Sequence, residues 1–76
     1  DAKSRLQSSE ESVKNGSPVY RPVSETGPDH SRIFEVEVSI GGVTLSVGTG
    51  SRKALAEQEA ASKALEVLAT ENPFDV

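Results

Sequence analysis

The chain has 76 residues, a net charge of −4, no cysteine and one histidine, His30. One small domain with a modest core is all that such a length supports, and a disulfide framework, a thiolate metal site and a zinc site built on histidines are excluded. No apolar run approaches the roughly 20 residues of a membrane span, so no membrane partner is expected, and the acidic balance opposes indiscriminate polyanion binding while leaving room for a local basic patch.

Asp1 to Lys14 reads as one helix. Ala2, Leu6 and Val13 share a face at spacings of four and seven. Asp1 can cap the start, Lys14 suits the negative end of the dipole, and Asn15-Gly16 stops the run. Ser8, Ser9, Glu10 and Glu11 put polar groups where a core-facing helix wants large apolar ones, so the second half is expected to pack loosely. Asp1 is not a natural start, which points to a piece of a longer protein, and no signal peptide is recognisable.

Next comes "SPVYRPVS", a short β-prone run. Pro22 cannot donate to a ladder, so this is expected to be an edge strand. "ETGPDHSR" is a polar loop with a Gly-Pro turn signal. In "IFEVEVSIGGVTLSV", Phe34, Val36, Val38 and Ile40 alternate with Glu35, Glu37 and Ser39. Gly41-Gly42 tolerates the positive φ of a two-residue hairpin turn. Such a turn pairs Ile40 with Val43, Val38 with Leu45 and Val36 with Val47, which predicts one apolar face. Glu35, Glu37, Thr44 and Ser46 are expected on the other, toward water.

From Ser51 to about Ala69 the period becomes helical. Ala56, Ala60, Ala64 and Leu68 form a stripe at spacing four, widened by Ala61, Leu65 and Val67. Small alanines let this helix lie close on the sheet, and Asn72-Pro73 ends it. The order is α-β-β-β-α. This is an α+β fold, a three-stranded antiparallel sheet with two helices on one face. Residues 1–70 are expected to form the domain and 71–76 a C-terminal tail.

Chemistry is sparse. Glu35 with Glu37, and Glu10 with Glu11, make no catalytic set, and no nucleophile–base pair is present. The fragment is therefore not expected to be an enzyme or to hold a cofactor. "GTGSRK" runs glycines into a helix whose start carries Arg52 and Lys53, although acids suit that end of the dipole. Two solvated surface charges are one reading. A phosphate held by the bases and the free N–H groups of the first turn is the other. No G-x-x-x-x-G-K-[ST] spacing exists, which excludes a nucleotide P-loop. Leu55 falls off the alanine stripe and is expected to be a small exposed apolar spot.

Three stretches in order, "DAKSRLQ", "VYRPVSETGPDHSRIFEVEV" and "GTGSRKALAEQEAASKAL", together resemble the double-stranded-RNA-binding domain, most closely the one that ends bacterial ribonuclease III. The resemblance implies recognition of A-form duplex by shape across about 16 bp, two minor grooves and the major groove between. By resemblance, Ser4, Gln7 and Ser8 match minor-groove positions on the first helix, with Ser8 standing where the longer glutamate is usual. His30, on a loop shaped by Pro28, matches the side chain that enters the second minor groove. Lys53 matches the first phosphate-binding base. The next two basic positions are Ala54 and Glu57, and Arg52 sits one residue early, where a capping serine is common.

The implied role is substrate binding for a ribonuclease III-type endoribonuclease. Its Mg²⁺-using nuclease domain would lie outside this chain and would make the parent a homodimer. The implied setting is cytoplasmic RNA processing, that of ribosomal RNA included. The alternative is a degenerate form of the fold acting as a protein–protein or dimerisation module, which net charge −4, Ala54, Glu57 and Leu55 also fit.

Overall fold

The structure, a computed structural model, describes residues 1–75. Two short helices, α1 (Ala2–Gln7) and α2 (Glu10–Asn15), precede strands β1 (Val19–Thr26), β2 (Ile33–Ile40) and β3 (Val43–Gly50), and α3 (Lys53–Thr70) closes the domain. The strands form one antiparallel sheet in the order β1-β2-β3. The helices pack on one face of it, with α1 against α3.

The expected first helix is broken in two. Ser9 adopts an extended conformation and caps α2 by accepting from Ser12 N. The hydroxyls of Ser9 and Ser12 both donate to Leu6 O at 2.7 Å. Together with Ser9 N, which donates to the same oxygen at 3.1 Å, these bonds satisfy a carbonyl at the helix end. They also turn Ser12, not Val13, into the core; Val13 is 76% exposed. The face predicted for Ala2, Leu6 and Val13 therefore ends at Leu6.

β1 is the edge strand that Pro22 requires, and it runs two residues further than "SPVYRPVS", to Thr26. Its register with β2 shifts between Pro22 and Ser24. A strand bearing a proline and a bulge is a poor template for further pairing.

The hairpin turn is as expected: Gly41 and Gly42 have φ of 55° and 80°, and Ile40 pairs with Val43. The register beyond it is not. Ser39 pairs with Thr44, but Val38 pairs with Ser46 and Glu37 with Val47. Leu45 is the extra residue of a β-bulge. Leu45 and Ser46 consequently both turn toward α3: Leu45 is buried, and Ser46 Oγ donates to Ala60 O at 2.6 Å. Val47, expected inside, is 37% exposed. Glu37, expected in water, is only 18% exposed and accepts from Arg21 at 2.7 Å on the neighbouring strand.

The bulge brings Gly48 under α3. A Cβ there would lie 2.4 Å from Ala56 O and 2.2 Å from Ala60 N, so only glycine lets strand and helix approach this closely. Around this contact Leu6, Val36, Val38, Ile40, Ala56, Ala60, Ala61 and Ala64 are wholly buried. The four large ones each contribute about 1.5–3 kcal/mol of transfer free energy. Phe74, in the segment expected as tail, packs against the same core.

Candidate nucleic-acid interface

Three exposed features meet around the start of α3. The β1–β2 loop and the α3 start share one end of the sheet, because Thr26 pairs with Ile33 and Phe34 with Gly50. Lys53 borders a cleft there with Pro22, Ser24, Glu25 and Phe34. On its other side, α3 meets α1 one turn further in, where Lys3 Nζ reaches Glu57 Oε1 at 2.5 Å. The α3 start thus lies between α1 and the loop, in a molecule 43 Å long.

On α1, Ser4, Gln7 and Ser8 are all exposed, on the side away from buried Leu6. Ser4 N donates to the Asp1 cap at 2.8 Å, and its hydroxyl has no partner among the described residues. Gln7 Nε2 donates to Ser17 Oγ at 2.9 Å, which orients the amide. Ser8 closes α1; its hydroxyl donates to Ser4 O and Arg5 O, both at 3.2 Å. Ser8 is thus committed to the helix end, and its reach is shorter than a glutamate's.

The loop is braced. Gly27 has φ 89°, and a Cβ there would meet Ser31 O at 2.5 Å. Ser31 N donates to Pro28 O across a single 3-10 turn, Asp29–Ser31. Arg32 pairs with both Glu25 and Asp29. Pro28 and His30 are left exposed on a held loop, which lowers the entropy cost of offering His30 to a ligand.

Arg52 is the N-cap of α3 but gives it no side-chain cap, and the first turn carries no acid. The N–H groups of the first turn lack intrahelical partners and Arg52 and Lys53 are exposed beside them, an arrangement that favours an anion. The two glycines ahead have a different task from phosphate cradling, since Gly48 and Gly50 belong to β3 and press on α3. What fixes this junction is Glu59, which accepts from Thr49 N at 2.8 Å. That bond, with Lys63 nearby, holds the Glu59 carboxyl below its ordinary range.

The ion pairs sort the cations. Five of the eight Lys and Arg residues have carboxylate partners: Lys3, Lys14, Arg21, Arg32 and Lys63. Arg5, Arg52 and Lys53 have none among the described residues. Arg52 and Lys53 are the two that the sequence reading singled out, whereas Arg5 lies beside Ser62, Leu65, Glu66 and Ala69 of the C-terminal half of α3, away from the helix start. No cluster of three or more His, Cys, Asp or Glu could hold a metal ion among the described residues.

A family model, the double-stranded RNA binding motif, matches residues 2–68. The chain belongs to this family. The domain is 44% identical over 68 residues to Ribonuclease 3 of Caldanaerobacter subterraneus subsp. tengcongensis, covering 90% of this chain and 30% of that protein. It is 51% identical over 47 residues to Ribonuclease 3 of Streptococcus pneumoniae (strain Hungary19A-6), covering 62% and 20%. The match thus spans under a third of these relatives. Among solved structures, the first dsRBD of HYL1 superposes with TM-score 0.69 at 39% identity, over 88% of this chain and 94% of that one. A structure of Arabidopsis HYL1 gives TM-score 0.67 at 43% identity, over 90% and 96%. Both neighbours share the domain's α+β fold. Family and fold together are those of a double-stranded-RNA-binding domain.

Proposed function

We propose that the domain binds A-form duplex by shape, as the substrate-binding module of a ribonuclease III-type endoribonuclease. The outer side of α1, with Ser4, Gln7 and Ser8, meets one minor groove. Pro28 and His30 present the loop to the next. Arg52, Lys53 and the free N–H groups of α3 take phosphates across the major groove between. The observation that carries the reading is that in an acidic domain the two cations at the uncapped start of α3, Arg52 and Lys53, have no carboxylate partner among the described residues.

The whole enzyme is inferred from the relatives named Ribonuclease 3. Its nuclease domain, the Mg²⁺ it would use, its homodimeric state and a cytoplasmic setting in RNA processing all belong to that larger protein. The protein-interaction alternative draws on Leu55, which is 52% exposed beside Lys53. A single exposed leucine is ordinary surface, so duplex binding is the better reading.

Backbone amide shifts on titration with an RNA duplex test the placement. Perturbations are expected at Ser4–Ser8, Gly27–Ser31 and Arg52–Ala54. Perturbations confined to the outer sheet face, around Val19, Glu37 and Val47, would contradict it.

A further inference from the structure

Lys53 and Glu57 are four residues apart on one face of α3, the spacing at which side chains of opposite charge meet. They do not pair. Glu57 instead takes Lys3 Nζ at 2.5 Å, from a helix 54 residues away in sequence. Lys53 has no carboxylate partner among the described residues.

We infer that Lys3 supports duplex binding without touching RNA: it holds Glu57 against α1 and so leaves the charge of Lys53 free for phosphate. This rests on the duplex-binding reading above. Several observations favour Lys3 as the partner. Its ammonium lies 4.8 Å from the centroid of the Tyr20 ring, a position with cation–π attraction. The Lys3 and Glu57 side chains are 37% and 28% exposed, so their pair is screened less than one in open solvent. Lys3 N also approaches Gln58 Oε1 at 3.4 Å, which registers α1 against the same turn. A Lys53–Glu57 pair would lie at the exposed helix start, in the weaker lysine-before-glutamate order. Glu57 is thus a tolerable acid next to a phosphate site, because a third residue neutralises it.

The same tie joins the groove-facing helix to the phosphate-facing one. Lys3 immediately precedes Ser4, and Glu57 lies one turn beyond Lys53. Lys3 and Glu57 are positioning residues on this view.

The test is RNA-duplex titration of the wild type and Lys3→Met at several salt concentrations, repeated in Glu57→Gln and Lys53→Ala backgrounds. Methionine keeps an apolar stem over Tyr20. Lys3→Met alone is expected to weaken binding about two- to fivefold, the scale of an exposed competing ion pair, with a shallower salt slope. With Glu57→Gln already present, Lys3→Met should cost almost nothing, and with Lys53→Ala present it should cost less than in the wild type. An equal loss in all three backgrounds would mean that Lys3 meets phosphate itself, and no loss in the wild type would mean that Glu57 does not compete; either overturns the inference. Lys3→Arg, which keeps the charge, should bind like the wild type and serves if the methionine variant folds poorly; a loss as large as that expected for Lys3→Met would count against the ion pair. A wild type that binds no duplex would remove the duplex-binding reading and this inference with it, whereas Lys3–Glu57 coupling in RNA-free thermal unfolding would persist.

Discussion

A Cβ at Gly48 would lie 2.2 Å from the amide nitrogen of Ala60, closer than any real contact. The sheet and the alanine face of α3 meet backbone to backbone at this point. Gly48→Ala must push the helix off the strand and should cost about 3 kcal/mol or more. Thermal unfolding checks this, with exposed Thr44→Ala as a control that should move little. An unchanged Gly48→Ala would contradict the packing, and would return Gly48 to the phosphate-loop role that its sequence context suggests.

The bulge at Leu45 makes a prediction that simple alternation does not. Val38 is wholly buried and Val47 is 37% exposed. Val38→Asp buries an unpaired charge beneath α3 and should unfold the domain. Val47→Asp should cost roughly 1 kcal/mol or less, by denaturant titration. Equal costs would restore the unbulged register.

Glu59 ties Thr49 to α3, and its carboxyl is held below the ordinary glutamate value of 4.5, first by the Thr49 amide and then with help from Lys63. A depressed folded pKa contributes stability that is complete above the unfolded value and is lost as pH falls through the folded one. The midpoint difference between wild type and Glu59→Gln should therefore be constant at neutral pH and shrink below pH 4.5. A difference independent of pH down to acid denaturation would show that the charge of Glu59 contributes nothing.

With Arg52, Lys53 and the free N–H groups at the start of α3 as the phosphate contacts, log K for an RNA duplex should fall with log salt at a slope of roughly −2 to −3, taking about −0.9 per phosphate from B-DNA. Binding by the isolated domain should be micromolar or weaker, about −8 kcal/mol at most. Lys53→Ala should reduce the slope by about one and weaken all duplex sequences alike. Ala54→Lys should strengthen binding. His30→Ala should weaken it with little change in slope, because a groove contact that meets no phosphate releases no counterion. Titrations across salt read all three, and a slope untouched by Lys53→Ala would take the basic turn off the phosphates.

Much of this was legible because local and global signals agree. Gly41-Gly42 and the Phe34–Ile40 alternation specify the hairpin turn, and the alanine spacing specifies the buried face of α3. The break between α1 and α2 carried a signal that was passed over: Ser9 followed by Glu10 and Glu11 is a helix start, with a cap and acids in its first turn. The bulge at Leu45 had no such signal, since Val43-Thr44-Leu45-Ser46-Val47 alternates perfectly on its own. Only the tertiary demand that Gly48 face Ala60 reverses that register. At the interface, residue types and order were readable, whereas the pairing of Glu57 with Lys3 rather than Lys53 joins residues 54 apart and needed the fold.

The central claim is recognition of A-form shape, and its most direct measurement is the affinity of the domain for RNA and DNA duplexes of one sequence, longer than about 16 bp, at one salt concentration. Phosphate charge is common to both duplexes, while the wide minor groove and its 2′-hydroxyls belong to RNA. The domain should prefer RNA by about tenfold or more, a difference near 1.4 kcal/mol. Equal affinity for the two duplexes would contradict shape recognition and leave only charge.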